Sequence, residues 1–222
     1  MKYKAIIWDF GGVITSSPFE AFNRYEESNG LPKDIIRTIN SENPDNNAWA
    51  KFENNSISID EFDALFLGEA KSKGYHICGR DIIKLLKGSI RKNMVIFLRE
   101  LKSDYKLGCI TNNVKSSSEE NSDNETKEAM PLFDHIIESS IVGIRKPNPE
   151  IYIMSCNALG VKPNQCIYLD DLGINLKPAR ELGMSTVWVE NDFNRKEANI
   201  LKEYINFTGS DLKSILSNML KI

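Results

Sequence analysis

The stretch Lys4-Ala5-Ile6-Ile7-Trp8-Asp9-Phe10-Gly11-Gly12 decides how the rest of the chain is interpreted. Four apolar residues run directly into Asp9, and two glycines follow one residue later. A continuous apolar run of this length, bounded by a turn signal, predicts a strand buried on both faces of a parallel sheet. Asp9 then lies at the carboxyl end of that strand, where open α/β sheets bind ligands. From this segment alone, an aspartate that only caps a strand exit is an equal alternative.

The composition is that of a globular protein with room for one large domain or for a core with a smaller one. The formal net charge of −3 provides no general attraction to nucleic acid or to an anionic membrane surface. No apolar run approaches the roughly 20 residues that a membrane span requires. We therefore expect neither nucleic acid nor membrane as a partner. The start of the chain lacks a signal peptide's small-residue cleavage site, which predicts a cytoplasmic location.

The cysteines and histidines give no indication of a disulfide framework or a zinc site. Four cysteines are widely separated without a CxxC pair, and the two histidines lie far apart. This spacing is typical of reduced, mostly buried thiols in an intracellular protein. Nothing in the sequence predicts the oligomeric state.

Two kinds of pattern divide the chain. Residues 16–90 have helical patterns throughout, including a Ser58–Glu61 capping box, and contain no apolar run typical of a buried parallel strand. From residue 91 onward strands and helices alternate, which is the pattern of α/β domains. We predict a doubly wound, Rossmann-like parallel sheet core from residues 1–15 and 91–222, with a helical cap domain inserted at 16–90. The polar run 116–127 is predicted to be a mobile surface loop.

Polar residues follow the predicted strands and loops in a fixed order, namely Asp9, Thr111-Asn112, Lys146 and Asp170-Asp171. In this order the whole chain resembles the haloacid dehalogenase-like hydrolase superfamily, most of whose members are phosphatases. Three segments are most similar to the N-terminal phosphatase domain of soluble epoxide hydrolase and its bacterial relatives: residues 134–140, 146–152 and 169–180. The resemblance implies a cap of helices above an active site at the sheet edge, which agrees with the segment order.

The resemblance also implies catalytic roles. Asp9 corresponds to the nucleophile, which forms an aspartyl-phosphate that water then cleaves. Lys146 corresponds to the cation that offsets the repulsion between this carboxylate and a phosphate, and Thr111 and Asn112 to groups that hold phosphate oxygens. The simpler alternatives are a solvated lysine at Lys146 and an ordinary helix cap at Thr111-Asn112.

Adjacent carboxylates at the end of an apolar strand repel each other unless a cation lies beside them. Mg²⁺ suits such a site because it prefers oxygen ligands and bridges carboxylate to phosphate. By resemblance, Asp9 and Asp171 bind Mg²⁺ through their side chains and Gly11 through its carbonyl. Asp170 belongs to the same metal site, and Asn175 supports it.

Gly11 departs from the pattern of the phosphatases that the chain resembles. They usually have a second aspartate at this position, which protonates the leaving alcohol and then activates water. A positioned acid/base contributes roughly 10²–10⁴ in rate, so its loss matters. Three consequences are open. Proton transfer passes to another group, such as a water molecule at the metal ion, Thr15, Asp170 or a cap residue; the substrates have leaving groups that need little protonation; or turnover is vestigial.

The expected function is therefore that of a Mg²⁺-dependent phosphomonoesterase acting on a small phosphorylated metabolite. Two alternatives remain open on this fold. The first is a catalytically weak or inactive protein that binds phosphorylated ligands. The second is a dehalogenase or phosphonatase type of hydrolase, the latter requiring a cap lysine such as Lys51 or Lys71. The aromatic residues of the cap either line the site or, more in keeping with their type, pack the cap's own core; they are Phe19, Phe22, Trp49 and Phe52.

Overall fold

The computed structural model describes residues 2–114, 124–190, 205, 207–209 and 211–220. Its strands are β1 Ala5–Trp8, β2 Lys106–Thr111, β3 His135–Glu138, β4 Cys166–Asp170, β5 Ser185–Val189 and β6 Phe207–Gly209. They form one sheet in the order β3-β2-β1-β4-β5-β6, and each neighbouring pair is parallel. The α/β fold class is therefore confirmed.

The helices fall into two groups along the chain. Five lie between β1 and the rest of the sheet: α1 Pro18–Ser28, α2 Ile35–Ser41, α3 Ala48–Glu53, α4 Ile59–Ser72 and α5 Gly79–Lys84. The others alternate with or follow the strands: α6 Lys92–Leu101, α7 Asn124–Ala129, α8 Ser139–Val142, α9 Pro149–Leu159, α10 Gly173–Glu181 and α11 Leu212–Leu220.

Strand β1 is buried on both faces, as its uninterrupted apolar run predicts. Because side chains alternate across a strand, Ile6 and Trp8 pack in the cluster that contains residues of α6 and α11. Ala5 and Ile7 pack in the cluster on the opposite face, with residues of α9 and α10. The central strand that ends at Asp9 is thus held rigidly between two helical layers.

Helices α1 to α5 have an apolar core of their own. Phe22, Phe52 and Phe62 are buried in it, and Phe19 and Trp49 pack against it. The prediction that these aromatic residues form core is confirmed. The predicted capping box is also present, because Ser58 N donates to Glu61 Oε2 at 2.7 Å and Glu61 N to Ser58 Oγ at 3.3 Å. We infer that α1 to α5 are the predicted insertion and call them the cap.

Two linkers join the cap to the sheet domain. Thr15 and Ile90 form an antiparallel bridge. Beside it, Ser16 N donates to the Ser89 carbonyl at 2.8 Å and Arg91 N to the Ile14 carbonyl at 2.9 Å. The linkers are therefore paired with each other where the chain enters and leaves the cap.

Two short elements were not predicted, α8 and β6, because four and three residues are too few to show a periodic pattern. The loop predicted at 116–127 lies partly outside the described residues, but residues 124–127 belong to α7, so the prediction is wrong there. The helix ends at Ala129, which is fully buried.

Among the described residues, no helix combines the length and the apolar character needed to cross a membrane. All four cysteines are free, and Cys109, Cys156 and Cys166 are buried, as predicted.

Candidate active site

The candidate site lies where the chain order of the sheet reverses. After β1, the chain first adds β2 and β3 on one side and then β4 on the other side of β1. Strands that diverge in this way leave a crevice at their carboxyl ends. Asp9 directly follows β1, Thr111 is the last residue of β2 and Asp170 is the last residue of β4. The fold therefore brings three of the predicted site residues to one edge.

A buried lysine joins two of the carboxylates. Lys146 is only 2% exposed, and its Nζ lies 2.7 Å from Asp9 Oδ1 and 2.9 Å from Asp170 Oδ2. Buried charges are stable only when they are paired and hydrogen-bonded, so this arrangement accounts for the burial of all three groups. The alternative of a solvated lysine at this position is excluded.

The burial of this trio affects its acid–base properties. Burial raises the pKa of Asp9 to about 7, although the ammonium of Lys146 opposes the shift and the charge of Asp170 adds to it. Burial would lower the pKa of Lys146, but the two carboxylates outweigh it and hold that pKa above its ordinary value. Lys146 is therefore cationic at neutral pH. Its ammonium does not fully offset the effect of burial on the pKa of Asp9.

Asp170 is held by hydrogen bonds on both oxygens. Leu172 N donates to Oδ1 at 2.8 Å, and Asn175 Nδ2 lies 3.2 Å from each oxygen. The hydroxyl of Tyr168 donates to Oδ2, which also accepts from Lys146. The described contacts of Asp170 thus orient Lys146, and Asn175 contributes two of them.

The three aspartates at this edge meet the requirements of a cation site. Asp9, Asp170 and Asp171 are buried, and one potential ligand oxygen from each lies within 4.8 Å of the others. Carboxylates this close together repel each other, and a cation beside them would offset that repulsion. Carboxylate oxygens are also the ligands that Mg²⁺ prefers. The donor set therefore fits the predicted metal.

The two glycines after Asp9 have different surroundings. Gly12 has a φ of +79°, and a Cβ placed on it would lie 2.2 Å from Asp171 Oδ2. Glycine is thus required at this position both by the backbone and by the approach of the carboxylate. A Cβ placed on Gly11 meets no atom of the described residues within 4 Å. A Cβ therefore fits at the position where the resembled phosphatases have their second aspartate.

Asn112 holds the backbone of Lys146. Its Oδ1 accepts from Lys146 N at 2.9 Å, and its Nδ2 donates to the Lys146 carbonyl at 3.1 Å. Nδ2 also lies 3.3 Å from Glu53 Oε2. The amide of Asn112 is thus engaged by protein groups. The role of Thr111, which is half-buried, and of Asn112 as phosphate donors remains a prediction.

Three residues around the site were not identified from the sequence. Tyr168 precedes Asp170 by two residues on β4. Because side chains alternate along a strand, this spacing places both on one face and could have identified Tyr168 from the sequence. Glu53 and Arg145 form a salt bridge of 2.7 Å between the cap and the loop before Lys146. Because these two residues are far apart in the chain, no local pattern indicated that they meet.

The sequence is similar to those of known hydrolases. The sequence profile of the haloacid dehalogenase-like hydrolases matches residues 3–183. The chain is 30% identical over 226 residues to bifunctional epoxide hydrolase 2 of Mus musculus, with 95% of this chain and 40% of that protein covered. The chain thus spans about two fifths of the length of that relative. It is also 30% identical over 86 residues to the glyceraldehyde 3-phosphate phosphatase of Pyrococcus furiosus, with 38% of this chain and 36% of that protein covered.

Solved structures support the fold. A haloacid dehalogenase family enzyme from Bacteroides thetaiotaomicron, determined in complex with magnesium and inorganic phosphate, superposes with a TM-score of 0.58 at 20% identity. The match covers 86% of this chain and 96% of that one. At this identity the likeness shows the fold.

The two glycines provide a test of the site's packing. We expect Gly12→Ala to lower the free energy of unfolding by about 1–3 kcal/mol, because alanine is strained at positive φ and its methyl would displace the Asp171 carboxylate. Gly11→Ala is the matched control and should change it by less than about 1 kcal/mol, since nothing described lies near the added methyl. Urea denaturation of both variants measures the difference, and equal losses would contradict this account of the turn.

Proposed function

This chain belongs to the haloacid dehalogenase-like hydrolases, and on that basis we propose that it is a Mg²⁺-dependent phosphomonoesterase that acts on a small phosphorylated metabolite. The observation that carries the proposal is the buried Lys146, which lies within hydrogen-bond distance of both Asp9 and Asp170 at the sheet's switch point. The phosphatase named among the relatives and the neighbour that binds magnesium and phosphate are in keeping with it.

We assign the attack on phosphorus to Asp9. Its carboxylate forms a bond to the phosphorus atom while the bond from phosphorus to the leaving oxygen breaks. Water then attacks the aspartyl-phosphate, which releases inorganic phosphate and restores the carboxylate. Asp9 suits this role because it directly follows a rigid, fully buried strand, which fixes the direction of attack.

Lys146 offsets the repulsion between the carboxylate and the incoming phosphate. It is already charged and oriented before substrate arrives, since Asp9 and Asp170 hold its ammonium and Asn112 holds its backbone. A preorganised cation in a buried site stabilises developing charge more than a solvated one does. We therefore propose that Asp170, Tyr168 and Asn112 act through Lys146.

The metal would be held by the side chains of Asp9 and Asp171 and by the Gly11 carbonyl, with Asp170 in the same acidic cluster. When bound, Mg²⁺ neutralises phosphate charge and orients the transferring group. Gly12 contributes by leaving the space that the Asp171 carboxylate requires.

A second candidate is a member of the family that binds phosphorylated ligands without turning them over. Gly11 favours this candidate, because a glycine has no proton to give to a leaving alcohol. Under the first proposal, the same feature predicts a preference for substrates whose leaving groups need little protonation, such as acyl and anomeric phosphates.

A panel assay separates the two candidates. Sugar, nucleotide and acyl phosphates are incubated with the full chain and Mg²⁺, and phosphate release is measured beside Asp9→Asn. We expect multiple turnovers with at least one class and a loss of at least about 10³-fold in Asp9→Asn, since the isosteric amide cannot act as the nucleophile. If no substrate of the panel released phosphate with metal bound, the result would favour the binding protein. Turnover in Asp9→Asn equal to that of the wild type would overturn the role of Asp9.

Gly11→Asp tests whether the missing acid limits turnover. A Cβ fits at this position, so we expect kcat for an alkyl phosphate to rise by about 10²-fold, at the lower end of the range that a positioned acid supplies. The increase for p-nitrophenyl phosphate should be smaller, because its leaving group needs little protonation. Gly11→Asn is the matched control, with similar size but no acidic proton, and it should leave both rates unchanged. Equal effects of the two substitutions would contradict the account.

A further inference from the structure

A buried carboxylate of the cap reaches the loop that carries Lys146. Glu53 is the last residue of α3 and is 7% exposed. Its Oε2 accepts from Arg145 Nε at 2.7 Å and from Asn112 Nδ2 at 3.3 Å, and its Oε1 accepts from Trp49 Nε1 at 2.8 Å. Each of these partners is a donor. A carboxylate satisfies all three, whereas an amide would turn its own NH₂ group toward at least one of them.

Both partners of Glu53 Oε2 are connected to the backbone of Lys146. Arg145 directly precedes Lys146 in the chain, and Asn112 bonds both backbone polar groups of Lys146. A displacement of Arg145 or of the Asn112 amide would therefore move the Lys146 backbone, and with it the ammonium that lies 2.7 Å from Asp9.

Further hydrogen bonds attach the same part of the cap to the sheet domain. Arg145 Nη1 donates to the Pro44 carbonyl at 2.9 Å, and Ser139 Oγ donates to the Glu53 carbonyl at 2.8 Å. These contacts lie on residues other than the paired linkers, 14–16 and 89–91. The cap is thus attached to the sheet domain at the paired linkers and, separately, at Glu53.

We propose that Glu53 is a positioning residue, which couples the seating of the cap to the placement of Lys146 through Arg145 and Asn112. The proposal rests on the proposed function in so far as Lys146 offsets phosphate charge, but the coupling itself is a property of the fold. With the cap seated, Glu53 holds Arg145 and Asn112, and the lysine is aligned with Asp9. With the cap displaced, Asn112 loses a partner and Lys146 loses its alignment.

The test uses the full chain and two substitutions that remove one buried cap carboxylate each. Glu53→Gln disturbs the contacts described above. Glu26→Gln is the matched control: Glu26 is also buried in the cap, and its carboxylate accepts from Asp34 N and Ile36 N, which belong to the cap itself. Both substitutions weaken the cap, and only Glu53→Gln reaches Lys146.

The first readout is the hydrogen exchange of the Lys146 backbone amide, whose N–H donates a hydrogen bond to Asn112 Oδ1. This measurement does not require turnover. We expect this amide to exchange about tenfold faster in Glu53→Gln than in the wild type, as in local opening, and at the wild-type rate in Glu26→Gln. The second readout is kcat and KM for p-nitrophenyl phosphate with Mg²⁺. Misplacement of Lys146 should lower kcat by about tenfold in Glu53→Gln and change KM by less than about twofold.

Arg145→Lys is a second variant, which keeps the charge but lacks the Nε donor and the planar guanidinium. If Glu53 acts through Arg145, the double variant should lose no more kcat than the more impaired single variant.

The proposal is overturned if the Lys146 amide exchanges at the wild-type rate in Glu53→Gln while the Ser16 and Arg91 linker amides exchange faster, because Glu53 would then only fasten the cap. If no variant releases phosphate, the proposed function fails, and the exchange of Lys146 still decides the coupling.

Discussion

The structure around Lys146 depends on how the negative charge of a buried acidic cluster is offset. Asp9, Asp170 and Asp171 are buried together at one edge of the sheet, and Lys146 is the cation that contacts the first two among the described residues. Burial of this many carboxylates is costly unless they are compensated. The surrounding structure is built to keep the compensation in place: Tyr168 and Asn175 orient Asp170, Asn112 fixes the Lys146 backbone, and Gly12 lets Asp171 approach. A divalent cation would further offset the repulsion among these carboxylates.

Much of this edge was predictable because its residues follow local signals. Asp9 ends an uninterrupted apolar run, and Asp170 and Asp171 end another, so the direction of parallel strands alone places them together. Lys146 was identified by resemblance, since a lysine in a loop carries no periodic signal of its own. The burial of Lys146 results from tertiary packing. Only the folded structure therefore shows that this side chain is in a buried ion pair and is not solvated.

The contacts that the sequence did not reveal are the distant ones. Glu53 meets Asn112 and Arg145 across 59 and 92 residues of chain, and neither pair shares an element whose period would relate them. Short elements were missed for a different reason, because the three residues of β6 form no repeat and are stabilised by pairing with β5. Local patterns thus describe the sheet and its acidic edge, and they do not describe how the cap is seated on it.

The most direct measurement is a crystal structure of the full chain grown with Mg²⁺ and a metallofluoride mimic of the transferring phosphoryl group. The account predicts a carboxylate oxygen of Asp9 in line with the mimic, Lys146 in contact with it, and the metal ion bound by Asp9 and Asp171. It would be contradicted if the mimic were bound elsewhere, or if Asp9 were turned away and paired with Lys146 alone while the acidic pair held no metal.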